Sequence, residues 1–164
     1  NGRRALEEEC LKLSGKYSAA MLDIDHFKKF NDNFGHDVGD QVLRMIANKI
    51  SRIEGGGKPF RYGGEEFTIL FPGKELEEVL PFLEILREDI ASNPFYLRGE
   101  NRAKAVSRGK KRREKSGKVK KSVTVTISIG VAQRGDIETP QEVLKEADEA
   151  LYKAKKAGRN CIQS

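Results

Sequence analysis

Two short stretches place carboxylates where apolar strands end. In Met21-Leu22-Asp23-Ile24-Asp25, strand alternation sends Leu22 and Ile24 to one face and Asp23 and Asp25 to the other. A carboxylate at the end of an apolar strand carries a desolvation penalty unless something positive meets it. Mg²⁺ suits that position, because it takes hard oxygen ligands, usually one or two carboxylates plus substrate phosphates. The competing reading is that both aspartates begin a solvated loop.

The second stretch is Arg61-Tyr62-Gly63-Gly64-Glu65-Glu66-Phe67. Its glycine pair suits a hairpin turn, which needs positive φ angles, and leaves bare backbone against which a phosphate or a base can lie. If this hairpin lies beside AAMLDID, Glu65 or Glu66 approaches Asp23 and completes a metal site. A Gly-Gly turn followed by glutamates is by itself more often an ordinary structural hairpin, and becomes specific only in combination.

The elements that must hold these groups follow from periodicity. GRRALEEECLKL has helical spacing through Ala5, Leu6, Cys10, Leu11 and Leu13, and SAAMLDID reads as a strand. After a polar link, HDVGDQVLRMIANKI forms a helix with Val42, Met45, Ile46, Lys49 and Ile50 on one side. PFRY and FTILF flank the Gly-Gly pair as a hairpin. ELEEVLPFLEILREDI is amphipathic, with Pro81 marking a kink or an offset start. SVTVTISIGVA, rich in β-branched residues, reads as a single strand. Thr139, Pro140 and Glu142 form a capping-box start, and Gly158 ends that last helix. The order α-β-α-β-β-α-β-α-β, with a central hairpin, predicts an α/β (α+β) domain. Its sheet is mixed and mostly antiparallel, flanked by helices.

Composition narrows the classes. At 164 residues the chain has the length of one domain, and no apolar run approaches a bilayer span. Cys10 and Cys161 stand in no CxxC or Cys/His cluster, which argues against a disulfide framework or structural zinc and for a reducing cytoplasm. The net charge of +6 is local: residues 98–121 carry twelve Lys/Arg against two Asp/Glu, and the other 140 residues carry 19 basic and 23 acidic groups. This basic segment, without interleaved aromatics, reads as a solvated loop insertion, so a nucleic-acid partner is not expected and no membrane contact is required. The chain opens at Asn1 without methionine, which suggests a piece of a longer protein whose upstream part carries a sensory or regulatory domain or a membrane anchor.

DIDHFKKFNDNFGHDVGD, RYGGEEF, TVTISIGVA and ADEALYKAKKAGRN, in this order, resemble the GGDEF family of diguanylate cyclases over nearly the whole chain, residues 1–164, apart from the basic loop. Residues 63–67 match the active-type GGEEF variant. The resemblance implies a nucleotide-cyclase, polymerase-palm-like fold. It also implies a reaction that joins two GTP into cyclic di-GMP with release of two pyrophosphates across a homodimer. Asp23, Glu65 and the backbone carbonyl of Ile24 would then hold Mg²⁺, or Mn²⁺ in its place, with Glu66 joining a second ion and Glu65 accepting the 3′-hydroxyl proton. Asn31 and Asp40 would read guanine, with His36 nearby and Gly63 and Gly64 leaving room. Lys28, Lys155, Arg159 and the amides of Phe27 and Lys28 would hold phosphates. The family's inhibitory Arg-x-x-Asp pattern is missing, since SRIEGGGKPF offers no aspartate, and product feedback there is not expected. The rival readings are a catalytically silent nucleotide receptor of the same fold, a nucleic-acid module led by residues 98–121, and a cyclase using ATP or mixed substrates.

Overall fold

A computed structural model describes residues 2–97, 121–135 and 139–164. Most of the basic segment, residues 98–120, lies outside the described residues, so the loop reading is not addressed by the fold.

The elements are α1 (Arg3–Cys10), β1 (Tyr17–Ile24), α2 (Phe27–Phe34), α3 (His36–Ile50), β2 (Lys58–Arg61), β3 (Glu66–Pro72), α4 (Leu76–Ser92), β4 (Phe95–Tyr96), β5 (Ser122–Val123), β6 (Ile127–Gln133), α5 (Pro140–Lys156) and β7 (Ile162–Gln163). Five strands form one sheet in the order β2-β3-β1-β6-β7, antiparallel except for the parallel β6–β7 pair. The expected mixed, mostly antiparallel sheet flanked by helices is therefore present. β4 and β5 form a separate two-stranded ribbon.

β1 lies at the centre and is buried along its whole length. Its alternation divides two cores. Ala20, Leu22 and Ile24 pack with Val42, Ile46 and Ile50 of α3 and with Val79, Leu83 and Ile90 of α4. Tyr17, Ala19 and Met21 pack with Leu6 and Cys10 of α1 and with Val143, Ala147 and Leu151 of α5. Burial on both faces is why β1 reads as a nearly continuous apolar run up to Asp23. Each fully buried Leu or Ile in these layers contributes about 1.5–3 kcal/mol relative to exposure.

α5 forms as its signals require. Thr139 Oγ1 accepts from the Glu142 amide at 3.4 Å, and Glu142 Oε2 accepts from the Thr139 amide at 2.7 Å. Gly158, at φ +112°, stands just past the end of the helix.

Four local expectations need correction. The polar link after β1 contains a helix, α2, because Phe27 and Phe30 fall on one side and pack against the α3/α4 core. SVTVTISIGVA is split: the chain leaves the ladder at residues 124–126, where the Thr126 hydroxyl turns to a buried carboxylate, and resumes at Ile127. α4 runs unbroken from Leu76 to Ser92 through Pro81, its start fixed by a Glu75/Glu78 capping box. α1 ends at Cys10, which leaves Leu11 84 % exposed instead of on the inner face.

Candidate active site

The end of β1 meets the start of β3. The register pairs Asp23 with Glu66 across the two strands, and Glu65 precedes that pair in the turn. Asp23 is 8 % exposed and pairs with Lys155 Nζ of α5 at 3.0 Å. Burial pushes the Asp23 carboxyl above the usual carboxylate range, although the ammonium of Lys155 and, more weakly, Arg159 oppose the shift. The Glu65 carboxyl is also pushed up, by burial first and then by the negative charges of Asp23 and Glu66. Two half-desolvated carboxylates thus repel each other here with one ammonium in close contact.

A divalent cation fits this donor set: hard oxygens, partly shielded from water and short of positive charge. Among the described residues no three His, Cys, Asp or Glu side chains gather into one metal-holding group. Mg²⁺ commonly takes only one or two protein carboxylates and completes its shell with substrate oxygens and water. The Ile24 side chain is buried in the α3/α4 core, so only its backbone is free to take part. Glu66 turns back over the hairpin: a Cβ on Gly63 would lie 2.9 Å from Glu66 Oε2.

The hairpin itself departs from expectation. Tyr62 and Gly63 amides donate to the Glu66 carbonyl at 2.9 and 3.3 Å, and Arg61 Nη2 donates to the Gly64 carbonyl at 2.6 Å. Gly63 and Gly64 are not among the residues with positive φ, so the turn does not need glycine for its backbone angles. Space is the remaining reason. A Cβ on Gly63 would crowd Glu66, and one on Gly64 would meet nothing within 4 Å, leaving an open ledge beside the carboxylates.

Asp25, also 8 % exposed, has a different environment. It accepts from Thr126 Oγ1 at 2.7 Å, Ser128 Oγ at 2.6 Å and the Asn160 amide at 3.0 Å. Arg87 of α4 donates to the Asn160 carbonyl at 3.2 Å and to its Oδ1 at 2.8 Å, and is itself paired with Glu84. This clasp ties the turn after α5, where Arg159 and Asn160 adopt φ +67° and +45°, to the end of β1. Lys155 and Arg159 are brought beside Asp23 as a result.

The third part is the α2–α3 junction. Phe27 is buried and stacks with Phe30 at 6.3 Å, while Lys28 is exposed in the first turn of α2. No side chain caps that turn, so its leading N–H groups are available to an anion. Asn31 is half-buried, and its Oδ1 is buried without a hydrogen-bond partner. His36 and Asp40 are exposed, one turn apart at the start of α3. Gly39, next to Asp40, lies directly against the Asn31 amide.

Of the residues singled out in the sequence, the structure gathers Asp23, Glu65 and Lys155 at one corner, and sets Asn31 against Gly39 near the start of α3, the helix that carries His36 and Asp40. It missed the Asp25 clasp, whose partners lie 101, 103 and 135 residues away and leave no local signal. It also missed Gly39. A glycine inside an otherwise regular helix costs about 1 kcal/mol relative to alanine, and that cost was the available clue. A separate groove of about 320 Å³ between the far end of α3 and α4, lined by Lys49, Arg52, Phe82 and Asp89 among others, contains none of the candidate residues.

The chain resembles known proteins in family and in fold. The family described as "Diguanylate cyclase, GGDEF domain" matches residues 3–161. The chain is 41% identical to the response regulator PleD of Caulobacter vibrioides over 147 residues, covering 88% of this chain and 28% of PleD. It is 37% identical over 150 residues to the diguanylate cyclase DgcP of Pseudomonas aeruginosa, covering 91% of this chain and 19% of that protein. The fold resembles the coiled coil and GGDEF domain of DgcB from Caulobacter crescentus, solved in complex with c-di-GMP. The TM-score is 0.81 at 32% identity, over 99% of this chain and 80% of that one. It also resembles the active GGEEF domain of a diguanylate cyclase from Vibrio cholerae, with TM-score 0.70 at 27% identity, over 98% of this chain and 89% of that one. The chain spans under a third of the length of these two curated relatives.

Proposed function

The chain belongs to the GGDEF family of diguanylate cyclases, and from that premise we propose that it condenses two GTP into cyclic di-GMP and two pyrophosphates. Each protomer of a homodimer binds one GTP. The 3′-oxygen of each nucleotide attacks the α-phosphorus of the other, the bond to pyrophosphate breaks, and Glu65 accepts the hydroxyl proton.

The observation that carries this reading is the corner where Asp23, paired with Lys155, and Glu65 are both pushed toward protonation by burial. Asp23, Glu65 and the Ile24 carbonyl would hold Mg²⁺ or Mn²⁺, with Glu66 contributing to a second ion. When bound, such ions neutralise phosphate charge and lower the pKa of the attacking hydroxyl. Lys155, Arg159, Lys28 and the leading amides of α2 hold the triphosphate. Asp40 accepts from the guanine N1 and N2 hydrogens, a donor edge that adenine lacks, and the Asn31 amide offers both donor and acceptor. His36 lies beside the base. The open backbone at Gly63 and Gly64 admits the nucleotide close to the carboxylates. Regulation by segments attached to this domain belongs to the same proposal.

The test is product formation from GTP and Mg²⁺, separated by chromatography at several protein concentrations beside Glu65→Gln. Cyclic di-GMP should appear, rise more steeply than protein concentration, and vanish in the variant. GTP binding without product at any concentration would support a silent receptor and overturn the catalytic reading.

A further inference from the structure

Gly39 is buried in the first turns of α3, where its backbone is helical and its φ is not positive. The backbone therefore does not require glycine, and alanine would favour the helix by about 1 kcal/mol. Contact with Asn31 supplies the requirement instead. A Cβ on Gly39 would stand 1.8 Å from Asn31 Oδ1, 2.9 Å from its Cγ and 3.3 Å from Phe27 Cζ. The first two separations are well inside van der Waals contact, the third is tight, and the Phe27 ring is itself buried. The Asn31 Oδ1 also lacks a hydrogen-bond partner. Packing, not a hydrogen bond to this oxygen, sets where the amide sits.

We infer that Gly39 is a specificity-determining positioning residue: by lacking a side chain, it lets the Asn31 amide lie against the first turn of α3, beside Asp40, in the pose that reads guanine. The inference rests on Asn31 being a base contact. Any side chain at position 39 swings the amide out of that pose, so the loss falls on base discrimination, while the groups that hold the triphosphate stay in place. A polar site that loses one hydrogen-bonding partner discriminates less between bases.

Three variants test it: Gly39→Ala, Asn31→Ala and the double variant. Each is titrated with a non-hydrolysable GTP analogue and with its adenine counterpart, and its melting is followed in parallel. Gly39→Ala should bind the guanine analogue roughly tenfold more weakly, a loss of about 1.4 kcal/mol, with adenine binding unchanged. Asn31→Ala should lose discrimination similarly, and the double variant should lose no more than Asn31→Ala alone. Gly39→Ala should also cost less melting temperature in the Asn31→Ala background than in the wild type, because the contact with the amide is gone and only the 3.3 Å approach to Phe27 Cζ remains. This arm keeps the test valid if Gly39→Ala alone folds poorly. If Asn31→Ala loses discrimination while Gly39→Ala keeps it, the Gly39 inference fails and the reading of Asn31 stands. If Asn31→Ala leaves discrimination intact, the base-contact reading fails and the inference goes with it. A double variant much weaker than Asn31→Ala would show that Gly39 acts on something else, and would also overturn the inference.

Discussion

Asp23 and Asp25 stand two residues apart on the same chain segment and are equally buried, yet their surroundings are opposite. Asp25 is supplied with three donors from two separate segments, two hydroxyls and one amide, and so has its charge satisfied by the protein. Asp23 has one partially exposed lysine and a neighbouring carboxylate. Satisfied buried polar groups specify structure, whereas an undersatisfied carboxylate is held ready for something that arrives from outside. One aspartate fastens the turn after α5, and the other is the one to which the proposed function assigns the metal and substrate. The clasp at Asp25 sets the positions from which Lys155 and Arg159 serve Asp23.

Breaking the undersatisfied side should have the largest effect on activity. Asp23→Asn and Glu65→Gln should each lower cyclic di-GMP formation by a thousandfold or more, on the order of 4 kcal/mol or above, as measured by product chromatography on folded protein. Retention of a tenth of the wild-type rate by either would remove that residue from the chemistry.

Breaking the satisfied side should be felt first as stability. Asp25→Ala leaves Thr126, Ser128 and the Asn160 amide without their acceptor. It should cost about 3 kcal/mol, read from denaturant unfolding with an unchanged slope. A loss below about 1 kcal/mol would mean that the clasp is not the fastening described.

The smallest effect sharpens the contrast because its sign is reversed. Asp23 and Glu65 have folded-state pKa values above their ordinary ones. The folded state therefore holds their protons more tightly than the unfolded chain, and in metal-free protein this contribution favours folding only as pH falls toward the carboxylate range. Above that range the ionised forms carry a net cost to folding. Metal-free Asp23→Asn should therefore melt at or slightly above the wild type, by roughly 2 °C, and the gap should close below about pH 4. Asp25→Asn should melt lower throughout the same range. A metal-free Asp23→Asn that melts several degrees below wild type would place Asp23 with Asp25 as a structural residue.

These differences also explain what was legible beforehand. β1, the core face of α3 and all of α5 are visible because apolar period, a capping box and a terminal glycine agree locally. α2 was obscured because FKKFNDNF is mostly polar and its phenylalanines find their partners only in the tertiary core. The break between β5 and β6 exists because Thr126 turns toward Asp25, a contact between residues 101 positions apart. The carboxylates of the site were visible as residue types and motif positions. The asymmetry between Asp23 and Asp25 was not, because it depends on which hydroxyls and amides the fold brings to each.

In the proposed function Asp23 with Glu65, and not Asp25, receives the divalent ion. Paramagnetic broadening of backbone NMR resonances by titrated Mn²⁺ tests this directly, comparing wild type, Asp23→Asn and Asp25→Asn at a temperature where all three are folded. Broadening should centre on residues 23–24 and 64–66 in wild type and Asp25→Asn, and disappear from them in Asp23→Asn. Undiminished broadening there in Asp23→Asn, or its loss in folded Asp25→Asn alone, would contradict the claim.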